Sequence, residues 1–145
     1  VPSFSRGGIW MIGILMASHG DMCEHMLRSA EMITGKIAQA EAVPLLAGES
    51  PRSYEERLRA AVDRIDTGDG IVVLVDILGG TPYNTAGALA RDHHFPVLTG
   101  LNMAMAIFCG MERDNYHAVS EMAAAAHEAA RDGIILLATK RAAEE

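Results

Sequence analysis

The segment IVVLVDILGGTP, residues 71–82, decides the fold of this chain. Its first five residues are apolar and mostly β-branched, which is typical of a central strand buried on both faces. The remainder is rich in glycine and ends in Pro82, a residue suited to the first turn of a helix. We therefore expect a buried strand at 71–75, then a loop, then a helix that runs to about Asp92.

The same alternation of strand and helix extends along the chain in both directions. Short apolar runs predict strands, and apolar residues that recur every three or four positions predict helices. Further strands are expected at 10–17, 37–46, 95–99 and 134–139, with helices at 21–35, from 53, at 102–110 and at 116–131. Ser53 and Glu56 have the spacing of a capping box, which predicts that the second helix begins there. The order predicts an α/β domain, a doubly wound and mostly parallel sheet of about five strands with helices on both faces.

Length, composition and charge limit the class of protein. The chain has 145 residues, enough for one domain, and its 50% hydrophobic and 21% charged residues are ordinary for a globular fold. The formal net charge of −7 argues against binding to a nucleic-acid backbone or an anionic membrane, because both need clustered Lys and Arg. The longest apolar run, residues 9–17, is about half the ~20 residues of a membrane helix.

The cysteines and the first residues of the chain indicate the compartment and the domain boundary. Cys23 and Cys109 form neither a disulfide framework nor a CxxC motif, which favours a reduced, cytoplasmic location. We interpret residues 1–10 as an extension or a cloning remnant, and residues 11–145 as a single domain.

Candidate functional residues follow the predicted strands. In an open α/β sheet, ligands bind beyond the carboxyl ends of the strands. His19 follows the first strand and precedes a helix, whose N-terminal N–H groups favour an anion. A neutral imidazole there can act as a nucleophile toward a phosphoryl group. The alternative is a histidine that only caps the helix, but its position at a strand end favours a functional role.

Asp76 ends the central strand. If the first and third strands are neighbours, Asp76 faces His19, and its carboxylate accepts the Nδ1–H of the ring. That contact leaves Nε2 as the free nucleophilic nitrogen; the alternative is an ordinary loop aspartate that caps a turn. The next glycines and threonine, Gly79, Gly80 and Thr81, offer backbone N–H groups and one hydroxyl, which suit a phosphoryl group. A Gly-Gly pair alone more often forms only a turn.

Cofactor and metal signals are weak in this sequence. The glycine-rich segment is neither a P-loop nor a GxGxxG motif, so nucleotide binding has no specific support. The histidines other than His19 show no metal-ligand spacing with a cysteine or a carboxylate. We therefore expect no cofactor and no metal.

Four short motifs carry a resemblance to a known family. The motifs are IGILMASHG at 12–20, AEMITG at 30–35, LVDILGGTPYN at 74–84 and TGLNM at 99–103. Each is short, but in this order and at this spacing they are specific. The sequence, over residues 11–139, resembles the IIA component of the mannose/fructose/sorbose family of the bacterial sugar phosphotransferase system.

The resemblance implies a phosphotransferase that works as a phosphocarrier. His19 would accept a phosphoryl group on Nε2 from phospho-HPr and pass it to a IIB component for sugar uptake, with Asp76 holding Nδ1. The positions that would contact the phosphoryl group are Gly79, Gly80 and Thr81, and the candidate rim positions are Leu78 and Asn102. The membrane would be met only indirectly, through the IIC and IID components. The resemblance also implies a homodimer, in which the last strand, 134–139, can be antiparallel and exchanged between subunits.

Two alternatives stay open at this point. A regulatory IIA-like protein would be phosphorylated at the same histidine, but its phosphorylation state would control a binding partner rather than transport. A small-molecule binder on a doubly wound fold would use His19 as a polar ligand contact. The sugar cannot be read from this chain, because the resemblance assigns sugar recognition to the membrane components.

Overall fold

Four parallel strands form the sheet in the computed structural model, which describes residues 10–138. The strands are β1 (Gly13–His19), β2 (Ala40–Leu45), β3 (Ile71–Val75) and β4 (Val97–Leu98). The helices are α1 (Met22–Thr34), α2 (Pro51–Ile65), α3 (Gly80–His93), α4 (Met103–Glu112) and α5 (Val119–Asp132), with a short 3₁₀ turn at Arg113–Asn115. The predicted α/β class and parallel sheet are confirmed.

The strand order β2-β1-β3-β4 places β1 and β3 side by side. Gly13 pairs with Ile71 and Ala17 pairs with Val75, so the two strands end next to each other. On the other side of β1, its last residue, His19, pairs with Leu45 of β2. The fold therefore brings the segments that follow β1 and β3 to the same edge of the sheet.

The two faces of the sheet are covered by different helices. Side chains such as Ile14 and Met16 pack with α1, α4 and α5, whereas Leu15 and Ala17 pack with α2 and α3. All five residues of β3 are buried, which fits their uninterrupted apolar sequence. This alternation decides which helix each side chain at the end of β1 meets.

Two predictions about individual elements need correction. The capping box at Ser53 is wrong, because α2 begins at Pro51 and its N-cap is Ser50, whose side chain accepts the Ser53 N–H at 3.1 Å. The Ser53 hydroxyl instead donates to Glu49 at 2.8 Å. The single chain has four strands rather than the expected five: residues 134–138 form no strand within it, and position 139 lies outside the described residues.

The N-terminal extension falls almost entirely outside the described residues, which begin at Trp10. The Trp10 ring packs edge-to-face on His117, with ring centroids 5.3 Å apart, and contacts the core on the face of the sheet that α1, α4 and α5 cover. Between residues 10 and 138, the structure contains no helix with the length and apolar character needed to cross a bilayer.

Candidate functional site

The candidate site lies where β1 and β3 end. The Asp76 N–H donates to the Ala17 carbonyl at 3.1 Å, which continues the β1–β3 ladder by one bond. The Gly20 N–H donates to the Leu45 carbonyl at 2.8 Å, which ties the end of β1 to β2. The backbone on both sides of His19 is thus fixed by neighbouring strands.

The carboxylate of Asp76 is held by three donors. Its Oδ2 accepts the His19 backbone N–H at 2.9 Å and lies 2.8 Å from His19 Nδ1, while Oδ1 accepts the Ile77 N–H at 2.9 Å. The Asp76 side chain is 12% exposed and that of His19 is 50% exposed. Burial alone raises the pKa of Asp76, but the hydrogen bonds from His19 and Ile77 outweigh it and hold the pKa below its ordinary value. The carboxylate is therefore ionised at neutral pH.

The other ring nitrogen of His19 lies against Gly80. A Cβ atom at Gly80 would come within 2.9 Å of Cε1 and 3.1 Å of Nε2, so the ring occupies the space that a side chain would need. Gly80 begins α3 and has a φ of +80°, in the region that favours glycine. Gly79 is the N-cap of this helix, and Thr81 lies in its first turn. Nε2 thus lies at the N-terminus of α3, whereas the sequence directed attention to the helix that follows His19.

The two candidate rim residues have different surroundings. Leu78 is 69% exposed and its neighbour Ile77 is 58% exposed, so the loop between Asp76 and α3 presents apolar side chains beside the histidine. Asn102 is the N-cap of α4: its Oδ1 accepts the Met105 N–H at 2.8 Å, and its Nδ2 donates to the Ala130 carbonyl at 3.1 Å. Its amide therefore ties α4 to α5 rather than standing free at a rim.

Sequence reasoning missed two polar residues near the end of β1. Ser18 is completely buried, and its hydroxyl bonds backbone groups of Gly20 and Cys23. Glu49 lies in the loop after β2, and its side chain, 6% exposed, accepts hydrogen bonds from the Leu46 N–H, from Ser53 and from Arg57. The strand alternation that separates residues 18 and 19 could have indicated Ser18, but no local pattern indicates Glu49.

Residues 10–138 contain neither a metal-binding cluster nor an exposed thiol. These residues contain no group of three His, Cys, Asp or Glu side chains that could hold a metal ion. Cys23 and Cys109 are free and buried, and burial raises the pKa of both thiols, that of Cys109 to about 12. His19, Asp76 and Gly80 together combine an exposed ring nitrogen, an ionised orienting carboxylate and the N-terminus of α3. This arrangement can hold a neutral imidazole with Nδ1 protonated and Nε2 free to attack.

Known proteins share both the sequence pattern and the fold. The family described as "PTS system fructose IIA component" matches residues 13–127. A mannose-specific EIIAB component of Escherichia coli K12 is 32% identical over 130 residues, or 89% of this chain, and the chain spans 40% of that relative's length. A sorbose-specific EIIA component of Klebsiella pneumoniae is 30% identical over 111 residues, 76% of this chain and 78% of that one. The solved mannose/sorbose-specific IIA subunit from Enterococcus faecalis has a TM-score of 0.80 at 29% identity, covering 90% of this chain and 97% of that one.

Proposed function

We propose that this chain, which belongs to the mannose/fructose IIA family of the phosphotransferase system, carries a phosphoryl group on Nε2 of His19. In this proposal it accepts the group from phospho-HPr and passes it to a IIB component, which serves sugar uptake. Its place of action is the cytoplasm, and residues 11–145 are the phosphocarrier domain. The family itself was predicted from the four motifs, and that prediction is confirmed.

The observation that carries the proposal is that the two nitrogens of the His19 ring have different surroundings. Nδ1 lies 2.8 Å from an ionised carboxylate, so the proton stays on Nδ1 and the lone pair stays on Nε2. Nε2 in turn lies at the start of α3, where unpaired N–H groups and the helix dipole favour negative charge. In this proposal a phosphoryl group on Nε2 lies against Gly80, and its neighbours Gly79 and Thr81 supply further donors to it.

The transfer step conserves atoms and charge. The Nε2 lone pair attacks phosphorus, the bond between phosphorus and the donor breaks, and its electron pair leaves with the donor. The Nδ1 proton stays on the ring, so the phosphorylated ring is cationic and its charge is balanced by Asp76. When the group moves on to the IIB component, the electron pair of the P–N bond returns to Nε2 and the ring is neutral again.

Phosphoryl incorporation tests this proposal. Incubation with phosphoenolpyruvate, Enzyme I and HPr should add the mass of one phosphoryl group to the wild-type chain and none to His19→Ala. His25→Ala is the matched control, because His25 is also an exposed histidine beside a carboxylate, with Nε2 3.3 Å from Asp21, but lies away from α3. Failure of the wild type to gain the mass, or full incorporation into His19→Ala, contradicts the proposal.

We also propose that the chain works as a homodimer with an exchanged, antiparallel last strand at 134–139. In its support, four consecutive apolar residues, Ile134 to Leu137, are between 75% and 90% exposed, a surface that a stable protein rarely leaves uncovered. The short strand β4 ends the described sheet and offers an edge for pairing. Light scattering should give twice the mass of one chain, and the double variant Ile135→Asp/Leu137→Asp should give a monomer. A monomeric wild type contradicts the dimer but not the phosphocarrier.

A further inference from the structure

Ser18, the residue before His19, has a buried hydroxyl with two backbone partners. Its side chain is 0% exposed, and its Oγ donates to the Gly20 carbonyl at 2.8 Å and accepts the Cys23 N–H at 2.9 Å. Both bonds have ordinary hydrogen-bond geometry, and a buried hydroxyl without partners would be costly. The hydroxyl thus connects the end of β1 to the first turn of α1 across the segment that contains His19.

Strand alternation explains why Ser18 can do this while His19 remains available. Successive side chains of β1 point to opposite faces of the sheet. Ser18 shares its face with Ile14 and Met16, which pack with α1, and His19 shares its face with Leu15 and Ala17, which pack with α2 and α3. Ser18 therefore anchors the backbone from one face while the His19 ring projects toward α3 on the other.

The turn that Ser18 closes has no other side-chain cap. Asp21 is the N-cap residue of α1, but its side chain makes no capping bond, and its Oδ2 lies 3.3 Å from His25 Nε2 instead. Gly20 adopts a left-handed φ of +61°, which makes the turn sharp. The Ser18 hydroxyl takes over the capping of the first turn, since it accepts the Cys23 N–H and holds the Gly20 carbonyl.

We propose that Ser18 is a positioning residue for phosphoryl transfer at His19. By locking the turn at 18–23, its hydroxyl holds the His19 backbone where Nδ1 reaches Asp76 and Nε2 faces α3. This inference rests on the proposed function of His19. Without the hydroxyl, the Gly20 carbonyl and the Cys23 N–H lose their partner, the turn relaxes, and the ring samples positions in which Nδ1 no longer meets the carboxylate. A loosened nucleophile slows transfer, because reaction requires a narrow range of distance and angle.

Three variants test the positioning role. In Ser18→Ala, the transfer rate from phospho-HPr should fall about tenfold, and the ¹⁵N shifts of the His19 ring should change from one Nδ1–H tautomer toward a mixture. Ser18→Thr, which keeps the hydroxyl, should restore both readouts. Tyr54→Phe is the matched control: it deletes another fully buried hydroxyl, which donates to the Val43 carbonyl at 2.7 Å, and should lower stability with neither the rate nor the tautomer changed.

The ring spectrum separates this inference from the proposed function. If wild-type protein accepts no phosphoryl group, the proposed function fails, while the His19 tautomer in Ser18→Ala still reports on positioning. If Ser18→Ala loses only stability and keeps the wild-type tautomer and rate, or if Tyr54→Phe disturbs the ring as strongly, the positioning role is overturned. Should Ser18→Ala not fold, Ser18→Cys, which replaces the hydroxyl by a slightly larger and weaker hydrogen-bonding group, gives the same readout.

Discussion

Asp76 and Arg113 hold their charges in the same manner at opposite ends of the sheet. At the carboxyl end, the Asp76 carboxylate accepts the backbone N–H groups of His19 and Ile77. At the amino end, the Arg113 guanidinium donates to the backbone carbonyls of Ile12, at 3.0 Å, and Ala38. Ile12 precedes β1 and Ala38 precedes β2, so Arg113 joins the starts of β1 and β2, whereas Asp76 joins the ends of β1 and β3.

The two charges differ in what else they contact. Arg113 is 5% exposed, and burial lowers its pKa although the neighbouring Asp114 partly offsets this. Asp76 keeps one partner, the His19 ring, that is half exposed to solvent. A buried charge that bonds backbone groups ties chain segments together, whereas one that also binds an exposed, titratable side chain can control that side chain's chemistry. We therefore expect Arg113 to matter chiefly for stability and Asp76 chiefly for the reactivity of His19.

Arg113→Met should cause the largest loss of stability, because it removes the donor to the carbonyls of Ile12 and Ala38. We expect a loss of about 2–5 kcal/mol in the free energy of unfolding, since each buried group left unpaired costs about 1–3 kcal/mol. Transfer per folded molecule should not change. Urea unfolding measures the loss, and Arg59→Met is the control, because Arg59 is an exposed arginine paired with Glu55. If Arg113→Met and Arg59→Met are equally stable, Arg113 has no special role in stability.

Asp76→Asn should affect phosphoryl transfer more than stability. The amide keeps the shape but loses the charge that balances a cationic ring, so transfer from phospho-HPr should slow by roughly 10–100-fold, the loss seen when carboxylates that orient metal-bound imidazoles are replaced. Rapid-quench measurement of phosphorylated protein gives the rate. Asp66→Asn is the control, because Asp66 also accepts a backbone N–H, from Gly68 at 3.0 Å, in an exposed turn. A wild-type rate in Asp76→Asn contradicts the tautomer argument.

Gly80→Ala tests whether transfer depends on the position of the His19 ring at the carboxyl end of the sheet. Gly80 and Gly35 both have a φ of +80°, so alanine is strained at either position by about 1–3 kcal/mol. Only at Gly80 does the new Cβ meet the His19 ring; at Gly35 it meets nothing within 4 Å. We expect Gly80→Ala to lose about tenfold in transfer rate through displacement of the ring, and Gly35→Ala to lose stability alone. Similar rates in the two variants count against ring displacement.

We expect the smallest effect in the pH dependence of the free energy of unfolding. The folded pKa of Asp76 lies below the ordinary value, so its contribution to stability is complete above the usual aspartate pKa of about 3.9 and is lost as the pH falls through the lower folded value. The stability of wild type should therefore fall toward that of Asp76→Asn as the pH is lowered through this range. Urea unfolding from pH 6 to pH 3 measures the difference. A constant difference across the series contradicts the assigned shift.

Several elements and one contact could be predicted because they depend on local pattern or on simple adjacency. β3 has the predicted bounds, 71–75, since an uninterrupted apolar run there is flanked by Gly70 and Asp76. The contact between His19 and Asp76 follows from placing β1 beside β3. The functional roles of these residues stay predictions until transfer is measured.

The errors have physical causes as well. The predicted start of α2 was wrong because Ser50, followed by a proline, outcompetes Ser53, whose hydroxyl is occupied by Glu49. The run at 134–139 has the composition of a strand, but a strand needs a neighbour for its backbone groups, and residues 134–138 have none in a single chain. Arg113 had no local signal, because its partners lie far away along the chain.

By itself, the sequence determined the alternation of strands and helices, the family, and the imidazole and carboxylate that face each other across two strand ends. Those features depend on which residues are apolar and on short, ordered motifs, and both are properties of neighbouring positions in the chain. Only the tertiary structure decided that Nε2 lies against the first residue of α3, and that Arg113 bonds the segments before β1 and β2. These contacts join distant segments, and packing of the helices on the sheet determines which distant groups meet.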